Sequence, residues 1–211
     1  YKRQDNGVVK EGVTQTDQSV TMQVLENMGN DLSTACVMSH QAGCDMIPVN
    51  IGALTDGVHP KIRNRVVRHG TGNIAKEPAM TREECVKAIL TGIETVKELK
   101  ADGYQLIVTG EMGIGNTTTS SACAAVLFEK DPADVTGRGA GLSSEGLNRK
   151  INAIRSAIAV NKPDSKDAID VIAKVGGLDI AGMVGCYLGA AICQMPILID
   201  GFISCLLYTS P

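Results

Sequence analysis

Val108-Thr109-Gly110-Glu111-Met112-Gly113-Ile114-Gly115-Asn116-Thr117-Thr118-Thr119-Ser120-Ser121 is the stretch on which the fold turns. The apolar run before it, Tyr104 to Val108, reads as a short buried strand. Three glycines then let the backbone approach a ligand, and the Thr/Ser row opens a helix expected to run through Phe128. Strand, glycine-rich turn and helix N-terminus form an anion site, because unpaired N–H groups and the helix dipole converge there. Gly113, Gly115, Asn116 and Thr117 are its candidate binding residues.

The spacing from Gly110 to Gly115, followed by Asn116-Thr117, nearly matches the P-loop pattern G-x-x-x-x-G-K-[ST]. Asn116 stands where that pattern needs a lysine, and an amide has no charge to offset β- and γ-phosphates. A triphosphate site and an ATP-using kinase are therefore disfavoured. The dinucleotide fingerprint G-x-G-x-x-G fails too, because Thr118 replaces its third glycine. A monophosphate held mainly by backbone donors fits better. The competing reading is a glycine-rich turn with no ligand. Glu111, an acid inside an anion cradle, argues against that reading, since it needs a task such as binding a hydroxyl or a cation.

The chain has 211 residues, 44% hydrophobic and 20% charged, enough for one α/β domain. A net charge of −3 and the lack of Trp argue against a nucleic-acid surface, which needs a basic stripe and stacking aromatics. The densest basic cluster, Lys61 to Arg68, reads as a solvated or strand-edge segment. Seven cysteines without a C-x-x-C pair suit reduced thiols in a cytoplasmic protein better than a disulfide frame. His40, His59 and His69 have no metal-ligand spacing, so surface or packing roles are expected of them and no metal site; no cofactor is expected either. Gln194, Pro196 and Asp200 interrupt the apolar run from Ile180 to Leu207 short of the ~20 residues that span a bilayer. A small-residue helix from Asp179 to Cys193, then a buried strand from Pro196 to Asp200, accounts for it. Gly182, Gly185 and Gly189 would let that helix pack closely on a neighbour.

Elsewhere helices and short strands alternate. Asp17 to Met38 is helical by spacing, with a break at Gly29-Asn30, and Met46 to Ile51 is a strand. Thr81 to Glu84 has capping-box spacing, ahead of a helical face of Val86, Ile89, Leu90, Ile93 and Val96. Ser143 or Ser144 caps a helix bearing Leu147, Ile151, Ile154 and Ile158. Ser165 begins another, with Ile169 and Ile172 inward and Gly176 as its stop. Such alternation implies a parallel sheet covered by helices, with ligands at the carboxyl ends of its strands.

The cradle resembles the central motif of the nicotinate-nucleotide–dimethylbenzimidazole phosphoribosyltransferase family. Further segments agree in order: Asp5-Asn6-Gly7-Val8-Val9, Glu11-Gly12-Val13-Thr14, Gly70-Thr71-Gly72-Asn73, Gly137-Arg138-Gly139-Ala140-Gly141-Leu142, Gly176-Gly177-Leu178-Asp179 and Ile199-Asp200-Gly201-Phe202. The likeness runs from about Asp5 to Ser204. It implies an α/β fold with a Rossmann-like parallel sheet flanked by helices, plus parts of a small helical domain, in a homodimer. The implied reaction moves phosphoribose from nicotinate mononucleotide to 5,6-dimethylbenzimidazole, yielding α-ribazole 5′-phosphate and nicotinate in cobalamin biosynthesis. The family's general base is a glutamate in a C-terminal motif that this sequence does not reach, so the chain as given is expected to be inactive. A non-catalytic module that binds a nucleotide monophosphate is the alternative.

Matched onto the family motif, Glu111 has a supporting catalytic role, against the plainer reading of a carboxylate that braces its own loop. The backbone of Gly113 and Gly139 would reach the phosphate. Lys150 would supply positive charge, unless it sits on a solvated face. Asp200 would face ligand at a strand end or cap the next helix, and Thr14 and Gln23 would face the benzimidazole. The domain is expected to span residues 5–204, truncated at both ends and lacking a strand before Asp5. Residues 1–4 and 205–211 resemble translated adapter read-through and are expected to be non-native tails.

Overall fold

The computed structural model describes residues 2–209. Its strands are β1 (Lys2–Gln4), β2 (Val49–Gly52), β3 (Arg63–Asn64), β4 (Ile107–Val108), β5 (Glu111–Met112) and β6 (Ile197–Leu198). Its helices are α1 (Val20–Gly29), α2 (Thr34–Gln41), α3 (Arg82–Ala101), α4 (Asn116–Leu127), α5 (Pro132–Val135), α6 (Ser144–Asn161), α7 (Ala168–Val175), α8 (Leu178–Ile192) and α9 (Phe202–Thr209). One sheet has the order β3-β2-β1-β5 and a second pairs β4 with β6, every pairing being parallel. Parallel pairing brings the carboxyl ends of β1, β2 and β5 to one edge, so Asp5-Asn6, Ala53 and Gly113 start their loops side by side.

β1 corrects the expectation of a missing first strand. Residues 2–4, set outside the domain by sequence, pair with β2 on one side and β5 on the other. Lys-Arg-Gln shows no apolar alternation, which is why the strand was missed. Its last side chain serves as a polar joint. Gln4 is fully buried, its Nε2 donates to Asn6 Oδ1 at 2.6 Å, and its Oε1 accepts the Leu178 N–H at 2.5 Å. That N–H is one of the unpaired donors at the start of α8, so the bond fastens α8 to the sheet centre. At the other end, α9 runs through Thr209, and Leu206 lies in the main core. Tyr1, Ser210 and Pro211, the extremities of the two supposed tails, lie outside the described residues.

The strands expected at Tyr104–Val108 and Pro196–Asp200 shrink to β4 and β6, and neither is buried. Val108 is 56% exposed and Leu198 53%, while Ile107 packs, partly buried, against Val96, Cys186 and Met195. The capping box at Thr81 forms as expected, with Thr81 Oγ1 accepting the Glu84 N–H and the Glu84 carboxylate accepting the Thr81 N–H. The inward face of α3 is rotated from the one expected. It carries Cys85, Ala88, Ile89, Gly92, Thr95, Val96 and Leu99, while Val86 and Leu90 face outward. The reason is α8, whose glycines bring it against α3 at near-backbone distance and so select small residues there. A Cβ added at Gly185 would lie 1.9 Å from the Ile89 carbonyl oxygen, and one at Gly92 would lie 2.2 Å from that of Gly182.

Other boundaries shift for local reasons. Asp17 accepts the Ser19 N–H and starts a turn, which delays α1 to Val20. Asp167, not Ser165, caps α7 through the N–H groups of Ile169 and Asp170. Ser143 caps α6 through the Gly146 N–H. Lys61–Arg68 contains the edge strand β3, as its charge suggests. The main core joins α3, α4, α7 and α8 around Ile51, Ile154, Ile180 and Met183. Among the described residues no helix is long and apolar enough to cross a membrane.

Candidate functional site: a glycine-rich cleft at the strand ends

The cradle begins where β5 ends. A Cβ on Gly113 would lie 2.5 Å from the Gln4 carbonyl oxygen, so only glycine lets this loop turn against β1. Asn6 Nδ2 holds the turn by donating to the Ile114 carbonyl at 3.1 Å. Gly115 follows in the left-handed region, φ +91°, and caps α4 without a side chain. The first turn of α4 therefore starts without a side-chain cap: the Asn116 and Thr118 N–H groups donate to the Gly113 and Gly115 carbonyls at 2.9 Å, and Thr117 lines the adjoining cleft.

The facing wall is the Arg138–Ala140 loop, in which Gly139 has φ +58° and any Cβ would stand 3.0 Å from Thr117 Oγ1. Between the walls lies a cleft of about 140 Å³ lined by Thr14, Gly113, Gly115, Asn116, Thr117, Gly139 and Lys150, with Arg138 at its rim. Seven of the sequence-derived candidates thus meet in one place. Lys150, from α6, is 1% exposed, so the expectation of a solvated lysine is the one that fails. Its Nζ donates to Thr117 Oγ1 at 2.8 Å and to the Gly137 carbonyl at 3.0 Å. No carboxylate pairs with it among the described residues, and burial lowers its pKa from 10.5 to about 8. Lys150 thus sets a buried ammonium against the first turn of α4, beside the cleft that both line.

Glu111 stands behind the cradle. Its Oε2 accepts the side-chain N–H of Asn116, so it orients the amide at the head of α4. Gln23 is exposed on α1, and Asp200 is exposed after β6; neither lines the cleft. Sequence reasoning passed over two residues. Arg138 sits at the rim with its guanidinium on the Leu142 carbonyl (2.8 Å) and Ser144 Oγ (3.1 Å). Asp179 is fully buried at the start of α8. Its Oδ1 accepts the Ile180 N–H at 2.8 Å, while Oδ2 has no partner. An acid directly after Gly-Gly-Leu in an otherwise apolar run was the available signal for Asp179. Among the described residues no group of three or more His, Cys, Asp or Glu is placed to hold a metal ion.

Burial, and then the negative charge of Glu111, push the Asp179 carboxyl far above its ordinary 3.8. The folded protein therefore holds this proton more tightly than the unfolded chain does. Stability from this group is greatest in acid and declines as pH rises above 3.8 toward the raised pKa. Asp179→Asn is expected to flatten that decline in urea unfolding measured from pH 4 to pH 8. A profile unchanged by the substitution would show that the carboxyl titrates normally.

Fold and cleft together define an α/β protein with a glycine-rich cleft at the ends of parallel strands, lined by the start of α4 and a buried lysine. The DBI_PRT family model, described as phosphoribosyltransferase, matches residues 3–208, and the chain belongs to that family. It is 52% identical over 200 residues to the nicotinate-nucleotide–dimethylbenzimidazole phosphoribosyltransferase of Ruminiclostridium cellulolyticum, covering 95% of this chain and 57% of that protein. The enzyme of the same name from Acetivibrio thermocellus is 51% identical, with the same coverage. The crystal structure of CobT from Thermus thermophilus superposes with a TM-score of 0.92 at 36% identity, over 98% of this chain and 63% of that one. The chain thus spans under two thirds of the length of the relatives it matches.

Proposed function

We propose that the cleft holds the 5′-phosphate of nicotinate mononucleotide, and that the protein transfers its phosphoribose to 5,6-dimethylbenzimidazole. Nicotinate and α-ribazole 5′-phosphate are the products, in cobalamin biosynthesis. The observation that carries this reading is Lys150, buried without a counter-anion and aimed into a glycine cradle. The relatives' names supply the substrates. The leaving pyridinium departs as a neutral ring and needs no general acid. The transition state then has oxocarbenium character, which a nearby carboxylate such as Glu111 favours electrostatically. The attacking benzimidazole nitrogen must lose a proton, which requires a general base.

No carboxylate among the described residues lines the cleft. No residue of this chain is assigned as the base, and the chain alone is read as a binder of the donor that does not turn it over. A Rossmann-like sheet, a homodimeric assembly and a cytoplasmic setting belong to the same reading. The test measures nicotinate release from nicotinate mononucleotide and 5,6-dimethylbenzimidazole, beside calorimetric binding of the donor. The complete Ruminiclostridium cellulolyticum relative is expected to release nicotinate, and this chain to bind the donor only. Turnover by this chain would locate a base within it, with Glu111 the first to substitute. Failure of this chain to bind the donor would sink the reading.

A further inference from the structure

Among the described arginine side chains, Arg63, Arg65, Arg68, Arg82, Arg149 and Arg155 each pair with a carboxylate at 2.7–3.1 Å. Arg138 does not. Its partners are neutral, the Leu142 carbonyl and Ser144 Oγ, and they engage two of the five N–H donors a guanidinium carries. It is also the arginine that stands at the cleft. An unpaired guanidinium beside an anion cradle is charge held in reserve for a ligand.

Charge balance says which part of the ligand uses it. A phosphate monoester carries about −1.5 to −2 at neutral pH. Against it stand one ammonium, Lys150, and the α4 N-terminus, equivalent to roughly +0.5. The Glu111 carboxylate behind Asn116 works against both. One more positive charge is needed, and it must come from the open side, because Lys150 already fills the floor. We propose that Arg138 is the second cation of the phosphate site, closing from the rim on the outer phosphate oxygens of the ligand while Lys150 holds the phosphate from below. Planar guanidinium donors suit two oxygens of one phosphate, which a lysine in that place does not match. This inference rests on the reading of the cleft as a phosphate site, and it adds the residue that captures the phosphate.

The test compares the wild type with Arg138→Gln, Arg138→Lys and Ser144→Ala by calorimetry against three probes: ribose 5-phosphate, nicotinate mononucleotide and phosphate-free nicotinate riboside. Arg138→Gln is expected to weaken both phosphorylated probes about 10- to 150-fold, the range for a charged hydrogen bond, and to leave the riboside unchanged. Arg138→Lys should recover part of the loss, and the salt dependence of binding should fall in Arg138→Gln. Ser144→Ala removes the tether but not the charge, so it should bind like the wild type. Equal weakening of all three probes by Arg138→Gln and Ser144→Ala would assign Arg138 to loop structure and overturn the inference. Unchanged phosphate binding in Arg138→Gln would overturn it as well, with the wider functional reading intact. Ribose 5-phosphate bound through Arg138, with no binding of nicotinate mononucleotide, would uphold the inference and sink the functional reading instead.

Discussion

Lys150→Met is expected to make the protein more stable and a poorer binder, both by large amounts. The binding loss follows from removal of a charge-assisted hydrogen bond to phosphate, about 1.5–3 kcal/mol, or roughly a 10- to 150-fold rise in Kd. The stability gain follows from burial. Lys150 is 1% exposed and its partners are neutral, so the folded state penalises its charge and lowers its pKa from 10.5 to about 8. Between those two values the unfolded chain binds more protons than the folded one, so wild-type stability rises with pH through that window. Below pH 8 the full penalty applies, roughly 2–4 kcal/mol on the scale of 1.36 kcal/mol per pKa unit. Methionine keeps most of the volume and removes the charge, and the stranded Gly137 carbonyl is on an exposed residue that reaches water. The excess stability of Lys150→Met over the wild type should therefore be largest at pH 7 and fade toward pH 10.5. In the wild type, donor affinity should fall as pH rises past about 8 if Lys150 holds the phosphate as proposed, because its ammonium is then being lost. Chemical unfolding and calorimetry across pH measure both. An unchanged affinity would remove Lys150 from the site, and a destabilised variant would mean that its two hydrogen bonds outweigh its desolvation.

That opposition of stability and binding also explains what the sequence revealed. The turn into α4 was legible because its geometry is local: glycines and hydroxyl residues within fourteen positions fix a turn and a helix start. Lys150 was legible only as a position downstream of Gly139, since a lysine on an amphipathic helix looks the same whether it faces water or a cleft. Its burial is decided by Thr117 and Gly137, which reach it across the fold. Arg138 and Asp179 were missed because their meaning depends on partners they lack. The unpaired guanidinium and the orphaned Oδ2 exist only once every neighbouring carboxylate and donor has been placed. β1 was missed for the opposite reason. Its polar Gln4 works in the sheet centre because Asn6 and Leu178, residues 2 and 174 positions away, complete its hydrogen bonds. The face of α3 depended on α8 in the same way. Periodicity marked Val86 and Leu90 as inward, but the glycines of α8 reward small side chains at the contact and leave the large ones outside.

Gly185→Ala should expose how much of the fold rests on that contact. In an isolated helix the change would gain about 1 kcal/mol, since alanine is the better helix former. Here the new methyl would sit 1.9 Å from the Ile89 carbonyl oxygen and 2.8 Å from its carbon, both backbone atoms of α3 that no rotamer change can move. The helices must separate by about an ångström or more, which loosens the packing of Ile89, Ile180 and Met183 around the seam. Overpacking of this kind costs about 1–3 kcal/mol and occasionally more. A backbone obstacle and a rigid pair of long helices place this case at or above the upper end, after the propensity gain is subtracted. Gly189→Ala is the graded comparison. Its methyl would meet Ile93 and Val96 at 3.0 Å, a contact that small shifts relieve, so its loss should be well under half as large. Urea unfolding of the two variants decides the matter, and near-equal stabilities would show that the α3–α8 approach is looser than 1.9 Å implies. The effect should reach the site as well. α8 begins at Leu178 on Gln4 and carries Asp179 beside the charge of Glu111, so a displaced α8 pulls on the strand end that Gly113 turns against. Donor affinity in Gly185→Ala should therefore fall together with stability, whereas Lys150→Met separates the two.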